Sequence, residues 1–135
     1  MSAANELLSA IHARLIGDTE LSVVIGLDGI RDRYMTGGNL PCIVIGDLAT
    51  NDYSTSTEAG EEHLLTLEVW SEASGRKQAQ QIAASIRALL ANASLPLETH
   101  LLVNLQHVAT LTRREAKARL FVAALRFRAV TESML

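Results

Sequence analysis

Between Ser74 and Asn92 the apolar residues recur at a spacing that suits a helix and no strand. Ala79, Ile82, Ala83, Ile86, Leu89 and Leu90 lie three or four positions apart, while Arg76, Lys77, Gln80, Gln81 and Arg87 take the other side. Ser74 is placed to cap this helix, and Asn92 to Pro96 ends it. The runs on either side alternate every second residue instead. Leu65, Leu67 and Val69 interleave with Thr66, Glu68 and Trp70 in a strand over Glu62 to Trp70. Phe121, Ala123, Leu125, Phe127 and Ala129 share one face of a strand over Leu120 to Thr131, with Arg126 and Arg128 on the other. A one-sided helix between one-sided strands has a single economical solution, which is to lay the helix on the apolar face of their sheet.

The rest of the chain extends that plan. Ala4, Leu7, Leu8, Ile11 and Leu15 form a second helical stripe, with Glu6, His12 and Arg14 off it, ending at Gly17. Asp18 can cap a short turn through Val24, and Gly26, Asp28 and Gly29 break the chain. Ile30 to Tyr34 reads as a short strand and Thr36 to Asn39 as a flexible loop. Pro41 to Ile45 is β-branched and apolar, a strand buried on both faces that continues over Leu48 to Tyr53 after a bend at Gly46. Ser54 to Gly60 reads as the tip of a long hairpin in which the serines are merely solvated, and Leu101 to Leu111 as a further strand joined to the last by a polar turn over Thr112 to Arg119. The order is helix, hairpin, helix, hairpin. The expected fold is α+β, one domain over residues 1–135: an antiparallel or mixed β-sheet with two main helices packed on one face.

Composition excludes several classes. With 48% apolar and 20% charged residues, the 135-residue chain is not a disordered one. A net charge of −3 is the wrong sign for a protein that grips duplex DNA. The single Cys42 lies in an apolar run and reads as a small buried hydrophobe, with no disulfide or zinc cluster open to it. Glu6 stands where a signal peptide would be apolar, and no stretch reaches the ~18 apolar residues of a membrane span. The expectation is a soluble protein made in a cytoplasm, with no membrane partner.

Catalytic patterns do not emerge. Gly37-Gly38 is not followed by Lys-Ser or Lys-Thr, and Gly26 and Gly29 open no helix, so there is no phosphate loop. His12, His63, His100 and His107 have no metal-ligand spacing and read as surface or interface residues. No Gly-x-Ser-x-Gly turn occurs, and Glu61 and Glu62, being adjacent, point to opposite faces of a strand. The expectation is no catalytic residue, no metal, no cofactor and no enzyme.

Charge is placed unevenly. Glu58 to Glu72 holds five Glu and no cation, whereas Thr112 to Arg128 holds Arg113, Arg114, Lys117, Arg119, Arg126 and Arg128 against Glu115 alone. Two readings stay open. Neighbouring strands pair these charges within one chain, or an acidic hairpin of one subunit meets the basic hairpin of the next, a heterologous contact that builds rings. Trp70, the only tryptophan, either faces out as an interface residue or ends its strand in the core.

The stretch STSTEAGEEHLLTLEVWSEASGR from Ser54 to Arg76, with PCIVIG at Pro41 to Gly46, LRFRAVTE at Leu125 to Glu132 and the leading ANELLSAIHARL, resembles the tail completion, or tail terminator, family of long-tailed phages and gene transfer agents. The resemblance runs through nearly the whole chain in order. It implies a sheet flanked by helices and a structural role. Copies would form a homo-oligomer, a hexameric ring on the head-proximal end of the tail tube. The ring would stop tube growth and dock the head-tail connector or stopper, with DNA passing through the lumen unbound. The protein would reside in the virion after assembly in the host cytoplasm. On this reading Thr55, Thr57, Glu58, Glu61, Glu62, Trp70, Arg113, Arg114, Lys117 and Arg119 make the inter-subunit or inter-ring contacts. The alternatives are another neck component, a stopper or tube subunit, or a small cytoplasmic α+β ligand-binding domain or enzyme.

Overall fold

The computed structural model describes residues 2–33, 38–72, 74–117 and 119–134. Helices α1 (Ala3–Ile16) and α2 (Thr19–Ile25) precede strands β1 (Ile30–Arg31), β2 (Cys42–Asp52) and β3 (Gly60–Ser71). Helix α3 (Lys77–Leu90) and the hairpin of β4 (His100–Glu115) and β5 (Leu120–Ser133) follow. The sheet order is β1-β2-β3-β5-β4. β1 runs parallel to β2 and every other pair is antiparallel, so the sheet is mixed.

Local chemistry explains the helix ends. Ser2 accepts a hydrogen bond from the Asn5 amide at 3.1 Å, and Asp18 accepts one from Leu21 at 3.0 Å, capping α1 and α2. Ser74 does not cap α3. The cap residue is Arg76, which makes no side-chain capping bond. Ser74 stands two residues too early, and Gln78 of the first turn accepts instead from Ser71 Oγ at 2.5 Å.

The helices cover one face of the sheet. Leu7, Ile11, Leu15, Leu21 and Ile25 pack with the α3 stripe against Ile43, Leu65, Leu67, Val69, Leu105, Ala123, Leu125, Phe127 and Ala129. Glu6, read from the sequence as lying off the α1 stripe, is buried at 3%. It is held because the Thr99 amide and hydroxyl each donate to its carboxylate at 2.6 Å and His100 Nδ1 lies 2.8 Å away. His63 is likewise no surface residue. It is fully buried, with Nδ1 3.0 Å from Thr50 Oγ1 and Nε2 2.9 Å from Thr131 Oγ1. Burial disfavours the imidazolium and pushes its pKa down. Two flanking hydroxyls therefore let a polar ring sit where the alternation places an apolar one.

The strand bounds differ from expectation in two places. β4 runs on to Glu115, with Arg113, Arg114 and Glu115 opposite Val122, Phe121 and Leu120. The polar turn expected over Thr112 to Arg119 thus begins only after Glu115, because an edge strand tolerates solvated side chains on both faces. β1 stops at Arg31, and Tyr34, Thr36 and Gly37 of the expected strand and loop lie outside the described residues. The bend anticipated at Gly46 is a bulge, a register shift between Ile45 and Leu48. Cys42, Ile43 and Val44 are buried on both sides of the sheet, and burial pushes the Cys42 thiol up. No helix among the described residues is long and apolar enough to cross a membrane.

Candidate assembly surfaces

The two hairpin turns lie at opposite ends of the sheet. The β2–β3 turn adjoins Glu132 and His100, while the β4–β5 turn adjoins Trp70 and Ser71. The 14 residues of β5 separate them by roughly 40 Å at ~3.3 Å per residue. One end is acidic, with Asp52, Glu58, Glu61 and Glu132. The other is basic, with Arg113, Arg114, Lys117 and Arg119.

The acidic tip is ordered by its own bonds rather than loosely solvated. Ser54 Oγ donates to Asp52 Oδ1 at 2.6 Å and accepts from the Gly60 amide at 3.1 Å, which holds the Asp52 carboxyl below its ordinary range. Thr55 Oγ1 accepts from the Glu58 amide at 3.1 Å and the Thr57 amide at 3.4 Å, closing a compact turn. The tip folds back onto the sheet. Tyr53, Thr55 and Glu58 border a small cleft with Asn104, Val130 and Glu132, and the Ser133 amide donates to the Ala59 carbonyl at 3.0 Å. A hydrogen bond from Glu58 raises the pKa of Glu132. Exposed threonine hydroxyls and carboxylates are what the tip offers a partner.

Of the sequence-selected residues, Glu62 is satisfied within the chain. Arg128 Nε donates to its carboxylate at 2.7 Å across β3 and β5, the Arg128 guanidinium lies 5.3 Å from the Tyr53 ring, and the ion pair raises the Arg128 pKa. Glu61 lies beside Asp52 and Thr131 on the adjoining strands. Trp70 stands on the face opposite the helices, half-buried, its Nε1 donating to Glu68 at 3.3 Å. It shares that face with Val122, which is fully buried. At the basic end Arg114, Lys117 and Arg119 are exposed. Arg113 reaches Glu115 only at 3.7 Å. Arg119 holds a left-handed backbone (φ 55°) in the turn, a conformation that favours glycine. A groove of about 360 Å³ beside it is lined by Glu72, Ser74, Arg114, Arg119 and Phe121. Arg76 stacks over that same Phe121 at 5.5 Å.

Sequence reasoning missed the exposed apolar residues of β4. Leu101, Val103, Val108 and Leu111 are 47–66% exposed. The signal was present, since this strand lacks the one-sided alternation of β3 and β5. Among the described residues no group of three or more His, Cys, Asp or Glu is placed to hold a metal. The groove between the ends of α1 and α3, about 530 Å³, brings together Ala10, Ala13, Leu89 and Pro96. Its one cation, Arg14, is used on the Leu89 carbonyl at 3.2 Å.

A family model described as tail completion protein gp17 matches residues 9–132. A chain of the solved structure titled "Virion of native gene transfer agent (GTA) particle" superposes with a TM-score of 0.87 at 28% identity, covering 98% of each chain. No curated protein matches by sequence.

Proposed function

The chain belongs to the family of tail completion protein gp17, and from that premise we propose that it is the ring-forming terminator at the head-proximal end of a tail tube. The coarser statement stands on its own: this is a structural protein of a phage-type tail, located in the virion. The observation that carries the finer one is the likeness, over 98% of both chains, to a component of a gene transfer agent virion. In this reading copies join into a hexameric ring that stops tube polymerisation, docks the head-tail connector or stopper, and lets DNA through.

The geometry supports that role. Stopping a polymer requires one end that matches the last tube ring and another that offers no repeat of it. An acidic turn and a basic turn about a sheet length apart give one subunit two unlike ends. Thr55, Thr57, Glu58 and Glu61 serve one end and Trp70, Arg113, Arg114, Lys117 and Arg119 the other. Glu62, with its charge matched by Arg128, contributes to ordering the hairpin rather than to attraction. A net charge of −3 suits a lumen that must not retain DNA.

Tails assembled without this protein decide the matter. Overlong tubes are expected from loss of a terminator. Tubes of normal length with unattached heads would instead assign the chain to the head side of the neck.

A further inference from the structure

Both edges of the sheet carry long stretches without a strand partner among the described residues, although at β4 the Leu105 carbonyl accepts from the Asn92 amide at 2.8 Å. β4 is an edge strand of 16 residues. From His100 to Thr112 it contains no Lys, Arg, Asp, Glu or Pro, the residues that ordinarily stop an edge from pairing. It exposes Leu101, Val103, Val108 and Leu111 instead. On the far side β1 pairs with β2 only at Ile43 and Val44, so among the described residues the stretch from Leu48 to Asp52 also presents an unpaired edge.

Strand direction decides what these edges accept. β2, β3, β5 and β4 alternate, so β2 and β4 run in opposite directions. A second copy set beside the first in the same orientation brings its β2 against β4 as an antiparallel neighbour, the slightly more stable arrangement. The joint uses a different surface on each side and leaves one of each free, so it repeats until it closes. Bulges at Gly46–Asp47 in β2 and at Val103 and Val108 in β4 bend the two edges, as a sheet that closes on itself requires.

We infer that β4 of one copy adds to β2 of the next, so that a single sheet continues from subunit to subunit. The inference rests on the ring proposed above and names the joint within it. It also divides the labour: the edges hold the ring together, and the acidic and basic turns, at the two ends of the strands, lie on its two faces, free for unlike neighbours.

The test is cross-linking in assembled particles. Ala49→Cys is combined, one at a time, with Leu101→Cys, Val103→Cys, Gln106→Cys, Val108→Cys and Leu111→Cys, and a short bis-maleimide is added. A ladder of covalent multimers beyond the dimer, requiring both cysteines, is expected from at least one pair. Dimers from the β4 cysteine alone would overturn the inference in favour of β4 on β4. Amide exchange supplies a readout independent of register. Residues 46–52 and 100–112 should slow at least ~10-fold in the particle relative to the free subunit, and unchanged exchange at both edges overturns the joint. The ring reading is judged separately, by tail length in particles lacking the protein.

Discussion

Glu6, buried on α1, is the residue on which the junction of α1 with the start of β4 depends. Its carboxylate accepts two bonds from Thr99 and lies against His100, and those bonds, the Thr99 hydroxyl first, outweigh burial and hold its pKa down to about 2. A carboxyl depressed in the folded state stabilises fully above its unfolded value of 4.5, and the contribution is lost as the pH falls from there toward 2. Thermal melts across that window should lose stability in the native protein and show a flatter acid limb in Glu6→Gln. His63 shifts stability in the same direction but over a higher pH range. Its depressed pKa means that protonation favours the unfolded chain, so this group removes stability as the pH drops below 6.5. His63→Ala leaves a cavity and two unpaired hydroxyls and should cost about 3 kcal/mol in urea titrations. Arg119 occupies a left-handed turn position at some local strain. Arg119→Gly should leave stability within about 1 kcal/mol of the native value while lowering the yield of assembled tails. If both are unchanged, the arginine side chain is not used in assembly.

At the scale of elements, the β3–β5 pair is the spine and α3 its cover. Phe127 is 1% exposed beneath the helices, and Phe127→Ala should cost about 4 kcal/mol in the same titration. The link from α2 to β1 depends on Gly29, where a Cβ would collide with the Ile25 carbonyl and side chain. Gly29→Ala should therefore destabilise by about 1–3 kcal/mol. Legibility differed between elements for physical reasons. The α3 stripe and the faces of β3 and β5 were readable because one side of each meets the core and the other meets water. β4 had no such signature in its second half: an edge strand pairs on one side only, and Thr112 to Glu115 are held by backbone bonds to β5 that leave no mark in side-chain polarity.

For the whole molecule, opposite charge at opposite ends predicts salt-sensitive assembly. Exposed charges within reach of a partner weaken as the Debye length shrinks from ~10 Å at 0.1 M to ~3 Å at 1 M salt. Arg113→Glu with Arg114→Glu should leave the subunit folded, since the Arg113–Glu115 contact is long and solvated, and should reduce tail termination and head joining. Circular dichroism checks the first half and electron microscopy of tails the second. Normal tails in the double variant would remove these arginines from the assembly surface. Of the ten residues selected from the sequence, the structure collects most at the two turns because hairpin connections are where polar side chains accumulate in a sheet protein. Glu62 separates from them because Arg128 stands one strand away, a neighbour that linear spacing does not reveal.

The sequence by itself determined the class of fold, the face α3 buries and the segregation of charge into two hairpins, since each is written in the local pattern of residues. Only the tertiary structure decided that those hairpin turns point to opposite ends of the sheet, that β5 inserts between β3 and β4, and that Glu6 and His63 are interior. These depend on which strands lie side by side, a choice settled by packing between residues far apart in the chain.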